Sequence, residues 1–299
     1  MTPILEGTYL ISILSFLGGL KFLSNPKRAK LGNTLAALGM ASAVLISVFA
    51  IQSEKLSGTN YLLITSMIVL GTFLGKALSE RVKMTEIPQL VSFFNATGGA
   101  CAFVLGIAES NQFHDFSNIE RIVLQIGAAT GAIATTGSIV ALLKLSGKVK
   151  NYHSWLVKFL SRLTFISIVS LVCLSGLGLW PGGLFTITST IIVTSLLFGV
   201  LFVLPIGGAD MPVVISLLNA ITGIATAFAG SLYDIKVMVA GGILVGASGI
   251  FLTIMMCRAM NRSLWKVLIG SYSAAQTKEA DEDIQSIKET TISDTAMKL

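Results

Sequence analysis

The sequence predicts an all-helical membrane protein that crosses the bilayer about nine times, with the N-terminus outside and the C-terminus cytoplasmic. Three observations lead there. Of its 299 residues, 53% are hydrophobic and only 12% charged, against about 25% charged in a soluble domain. Nine apolar runs stand near the ~20 residues that cross the hydrocarbon core. Fifteen of the 21 Lys and Arg fall in loops on one side of that arrangement and three on the other, with the remainder in the C-terminal tail. This is the bias that marks cytoplasmic loops. The formal net charge of +6 is therefore a signal of topology, and no nucleic-acid partner is read from it.

The runs occupy roughly 4–23, 33–51, 60–78, 88–108, 119–143, 160–180, 184–204, 212–231 and 235–256. The first follows Met-Thr-Pro and contains Glu6, so it lacks the positive n-region of a cleavable signal and is read as a span. The sixth and seventh are separated only by Trp180-Pro-Gly-Gly183, a turn signal. Spans one, two, six and seven are uniformly apolar and are expected to face lipid. The fifth (Gly127 to Ser138) and the ninth (Gly241-Gly242, then Gly246-Ala-Ser-Gly249) are rich in small residues that let helix backbones approach. Spans four–five and eight–nine are thus expected to form an inner bundle of two hairpins. Residues 1–262 make the transmembrane domain, and 263–299 a polar cytoplasmic linker or tail with an acidic run at Glu279–Asp283. Cys101, Cys173 and Cys257 have no metal-like or disulfide-like spacing and read as apolar packing residues.

Two stretches 124 positions apart match in register. Glu86, Pro88, Ser92, Asn95, Ala96 and Gly99 correspond to Asp210, Pro212, Ser216, Asn219, Ala220 and Gly223. Four spans separate the copies, so both lead into the membrane from the cytoplasmic side as a parallel repeat. Each proline stands at the helix start, where its missing N–H costs nothing, and each acid lies near the positive end of the helix dipole. Each asparagine lies about 10 Å into the membrane at ~1.5 Å per residue. Ser, Asn and Gly at i, i+3 and i+7 form one narrow polar stripe per helix. Such intramembrane polar groups either glue helices together or line a pathway, and both readings stand here.

No phosphate-cradling loop is present. The nearest match, Gly176-Leu-Gly-Leu-Trp-Pro-Gly182, has the wrong spacing. His114 and His153 are isolated loop residues, and no Cys/His cluster suggests a metal. No Asp, Glu, Lys, Arg or His lies in the middle of any span. Asn, Ser and Thr do not titrate near pH 7, but they hold water or hydrogen-bond a titratable group. A proton crossing here would use water or a residue from a partner. Asp210 is read either as a helix-terminal acid or as an ionisable gate at the cytoplasmic mouth. Arg258 and Arg262 are read either as positive-inside anchors or as contacts to a cytoplasmic domain.

The motifs Ile206-Gly-Gly-Ala-Asp-Met-Pro-Val-Val-Ile-Ser-Leu-Leu-Asn219, Val245-Gly-Ala-Ser-Gly249, Cys257-Arg-Ala-Met-Asn-Arg-Ser263, Met84-Thr-Glu-Ile-Pro-Gln-Leu-Val91 and Gly137-Ser138 resemble the beta subunit of proton-translocating NAD(P) transhydrogenase. The resemblance runs from the first span to about Gly270. It implies a multi-pass subunit in a bacterial inner membrane that forms part of a proton pathway. That pathway would be coupled to hydride transfer between NAD(H) and NADP(H). It implies an alpha subunit carrying the NAD(H) domain, and an assembly that is a dimer of such units. The family's NADP(H) domain would begin where this sequence ends. The resemblance therefore implies that the domain is separate or missing and that this chain binds neither nucleotide. Carried over residue by residue, the pathway candidates are Ser92, Asn95, Ser138, Ser216, Asn219 and Thr222, and the gating and coupling candidates are Asp210, Arg258 and Arg262. The family often has a histidine at the position of Asn95. That relay role does not transfer, and a histidine of the partner membrane subunit could take it. The competing expectations are a stand-alone secondary transporter, which a parallel repeat with a polar midpoint suits, and a non-catalytic transhydrogenase remnant.

Overall fold

The computed structural model describes residues 3–23, 25, 27–52, 58–111, 116–152, 154–261, 263, 264 and 267. Nine α-helices, and no strand, occur among them: α1 Pro3–Leu23, α2 Ala29–Gln52, α3 Gly58–Arg81, α4 Ile87–Ser110, α5 Asn118–Leu145, α6 Trp155–Gly176, α7 Leu184–Val203, α8 Met211–Leu232 and α9 Lys236–Ala259. Every apolar run is a helix, and the fold is the expected all-α membrane bundle. Eight helices are long and apolar enough to cross a bilayer by length and composition, while α1 contributes the shorter apolar stretch Gly7–Gly19.

Local chemistry sets the boundaries. The Ser117 hydroxyl accepts from the amide of Glu120, whose carboxylate accepts from the Ser117 amide at 2.8 Å, a capping box that starts α5. Ser154 accepts from the Leu156 amide at the start of α6. Gly178, at φ +68°, makes the left-handed turn that lets α6 double back into α7. Helices α4 and α8 each begin after a single 3-10 turn, Met84–Glu86 and Gly208–Asp210, with Pro88 and Pro212 in the first helical turn. The repeat seen in the sequence is thus a repeat of backbone geometry at the helix start as well.

Helices α5 and α8 are more than half buried and form the centre. Helix α4 crosses α5 where a Cβ on Gly99 would stand 2.6 Å from the Gly131 carbonyl oxygen. Helix α8 crosses α9 where a Cβ on Gly223 would stand 2.9 Å from that of Gly242. The two expected hairpins therefore exist and meet through α5 and α8. The expectation for α7 fails. It buries Ile187, Thr188, Ile191, Ile192, Ser195, Gly199 and Val203 against α5 and belongs to the inner bundle. Its small and polar residues recur at helical spacing on one face, which its uniformly high hydropathy concealed. Helix α3, by contrast, buries no residue. Helices α1 and α2 form a further hairpin, joined by hydrogen bonds between Tyr9 and Ser47 (3.1 Å) and between Ser12 and Ser42 (2.8 Å). Cys257 is buried among the α8–α9 side chains, whereas Cys101 and Cys173 are exposed on the outer surface rather than packed. Val267 is buried in that same cluster. The tail beyond it, His114, His153 and Arg262 lie outside the described residues.

Candidate functional site

The two copies of the repeat pack against each other in parallel. A Cβ on Gly98 would meet Thr222 Cγ2 at 3.2 Å. Farther along the same pair of helices the Tyr233 hydroxyl donates to Glu109 Oε2 at 3.0 Å. Both contacts join positions 124 apart, the offset of the repeat itself. Burial and the Glu109 hydrogen bond push the Tyr233 phenol up to about 12.

Each serine of the repeat is tied to the helix that follows it. Ser92 Oγ donates to the Ser138 carbonyl on α5 at 2.8 Å, and Ser216 Oγ donates to the Gly249 carbonyl on α9 at 3.0 Å. These two are interhelical glue. The asparagines differ. Asn95 is buried, and its Nδ2 donates to the Ile215 carbonyl on α8 through a long 3.4 Å bond. Asn219 is half-buried, and no hydrogen bond to its side chain is present among the described residues. The Ser138 hydroxyl is fully buried and has no hydrogen-bond partner.

The structure therefore gathers Ser92, Asn95 and Ser138 at the junction of α4, α5 and α8. It leaves Ser216 on the far side of α8, against α9. Thr222 bonds its own helix at Leu218 and lines an apolar cavity of about 300 Å³ together with Ser12, Phe16, Met40 and Val245. Asp210 is buried at the start of α8, makes no side-chain capping bond there and lies within electrostatic reach of the Cys257 thiol. Its counterpart Glu86 is only half-buried, so the acids that precede α4 and α8 are not equivalent. Arg258 is exposed in the last turn of α9.

Among the buried polar residues that reasoning from sequence missed, four stand out. Gln125 on α5 donates to Ser175 on α6 at 2.5 Å, and its Oε1 has no partner. The hydroxyls of Thr188 and Ser195, seven apart on α7, are fully buried and also lack partners. The i, i+7 spacing was the available signal. The fourth is Lys144, counted from sequence among the loop cations. It lies in the last turn of α5 with its side chain buried. Nζ donates to the carbonyls of Leu204 (2.5 Å) and Ile206 (2.7 Å) and to Asn151 Oδ1 (3.3 Å).

Together these features define a multi-pass membrane protein built around a duplicated helical hairpin with a polar seam. The seam offers hydrogen-bonding groups at membrane depth but no titratable side chain at its centre. The chain belongs to the NAD(P) transhydrogenase beta subunit family, whose sequence model matches residues 5–299. Two curated relatives from Rhodospirillum rubrum, each a NAD(P) transhydrogenase subunit beta, are 31% identical over 284 residues. The match covers 89% of this chain and 58% of each relative, so the chain spans little more than half their length.

Proposed function

We propose that this chain provides part of the proton pathway of a membrane-bound NAD(P) transhydrogenase, coupling proton movement to hydride transfer between NAD(H) and NADP(H) on partner domains. The observation that carries this reading is the Ser138 hydroxyl, buried without a partner on the residue whose carbonyl holds Ser92, one helical turn before Asn95. A buried hydroxyl left unpaired costs about 1–3 kcal/mol. Such groups are retained where water or a reacting group engages them. Ser138 and Asn95, with the unbonded Asn219 beyond them, can hold a short file of water between α4, α5 and α8. The titratable step falls to groups at the ends of the file or to a residue supplied by the partner membrane subunit.

In this reading the N-terminus is outside, the C-terminus is cytoplasmic and the membrane is the bacterial inner membrane. The partners are an alpha subunit carrying the NAD(H) domain and an NADP(H)-binding domain. The assembled unit pairs as a dimer. The nucleotide state of the soluble domains biases Asp210 and the start of α8, and Arg258 and Arg262 receive that signal, so passage and hydride transfer are linked.

The test is Ser138→Ala in the complex purified from its native membrane and reconstituted in liposomes, with hydride transfer and internal acidification followed together. Removing an unpaired hydroxyl leaves thermal stability unchanged or raised, while coupled proton movement falls by about tenfold or more, as for loss of a group worth ~1.4 kcal/mol or more in the transition state. Asn219→Ala behaves alike. Normal coupling in both variants removes the seam from the pathway. Flux through liposomes holding this chain alone, without nucleotide, would favour a stand-alone transporter instead.

A further inference from the structure

Lys144 stands apart from the other cations. Its ammonium has three N–H groups, and all three are directed at acceptors: two main-chain carbonyls and an amide oxygen. Three acceptors drawn from two separate segments around one side chain suit it to fastening those segments together. The carbonyls of Leu204 and Ile206 lie just past the end of α7, where helix carbonyls are left without partners and the dipole is negative. Four residues beyond Ile206 comes Asp210, and α8 begins directly after it. The Ile206 side chain is packed with Met211, Val214 and Cys257. One side chain at the end of α5, the helix that carries Ser138, thus holds the linker that carries Asp210.

We propose that Lys144 is a positioning residue that clamps the α7–α8 linker, residues 204–210, onto the cytoplasmic end of α5, and that this clamp keeps Asp210 and the first turn of α8 seated. Only its consequence for coupling rests on the proton-pathway reading. Cys257, buried beneath the linker, reports on the clamp directly. In the full chain in its own membrane, with the exposed Cys101 and Cys173 changed to alanine, a water-soluble maleimide modifies Cys257 slowly. Lys144→Met removes every bond of the clamp and raises that rate about ten- to a hundredfold, as expected for losing charge-assisted hydrogen bonds that hold a local opening closed. Lys144→Arg, which keeps the charge and the donors, restores most of the protection. In the assembled complex Lys144→Met lowers the ratio of protons moved to hydride transferred and Lys144→Arg preserves it. A loss of stability alone would lower both rates together. Unchanged Cys257 labelling in a well-folded Lys144→Met chain overturns the clamp and leaves the pathway reading intact. If that variant does not accumulate, hydrogen exchange of the wild-type chain decides. Linker amides as slow as those of the α8 core support the clamp. Linker amides as fast as that of the exposed Lys150 overturn it.

Discussion

Replacing Gly99 with alanine puts one methyl group into a tight crossing beneath the polar seam. The new Cβ would stand 2.6 Å from the Gly131 carbonyl oxygen, 2.8 Å from Thr135 Oγ1 and 3.0 Å from the Thr135 amide nitrogen. Two of these atoms are backbone. The third is pinned by its own bond to the Gly131 carbonyl at 2.8 Å, so no flexible side chain can yield and the helices must separate. Overpacking of this kind costs about 1–3 kcal/mol. The same separation stretches the Ser92–Ser138 bond, which is worth about 1 kcal/mol in a membrane helix pair. The matched control is Gly71→Ala on α3, where a Cβ meets nothing within 4 Å and alanine's better helix propensity adds up to ~1 kcal/mol. Unfolding in mild detergent titrated with a denaturing one, read by circular dichroism, measures both. Gly99→Ala unfolds at lower denaturing fraction than the wild type, and Gly71→Ala at the same or a higher one. Equal midpoints for the two alanine variants would refute the packing argument and with it the geometry of the seam.

Ser92→Ala and Ser216→Ala each remove one interhelical bond at equivalent positions. Each lowers stability by about 0.5–1.5 kcal/mol in the same unfolding titration, and a much larger loss in only one would show that the copies are not held alike. At the opposite end of the repeat, the raised phenol of Tyr233 gives stability that is complete below pH 10 and is lost as pH climbs from 10.0 toward about 12. The sign follows because the folded protein resists deprotonation more than the unfolded chain does. Thermal unfolding over that range shows a steeper fall for the wild type than for Tyr233→Phe, and parallel curves would remove the Glu109 contact from consideration.

Periodicity and length made all nine helices legible, because an apolar run long enough to cross a bilayer has few other folds available. The repeat was legible as well, since Pro88 and Pro212 mark equivalent helix starts and the residues behind them keep step. What a hydropathy pattern does not carry is which helix lies inside. Lipid and protein core reward the same apolar side chains, so α7 looked like a surface helix although Thr188, Ser195 and Gly199 turn toward α5. Lys144 was hidden for a related reason. A lysine at a helix end read as cytoplasmic satisfies the charge bias whether it points at water or at the carbonyls of the α7–α8 linker. The division of the stripe into tied serines and less restrained asparagines depends on where α5, α8 and α9 cross, a long-range outcome that no local spacing encodes. Asp210 shows the same limit, since its burial and the partial exposure of Glu86 come from neighbours rather than from the repeat.

The emptiness around α3 bears on cooperativity. A helix that buries none of its residues gains little from the order of its neighbours, and they gain little from it. In the bilayer its fold is held by its own backbone bonds and by lipid, as in any first-stage insertion. The chain from α4 onward, with α5 and α8 at its centre, is expected to melt as one unit while α3 stays helical. Unfolding followed by helix content would then end above zero, and a cut between α3 and α4 would sever a peptide bond but almost no packing.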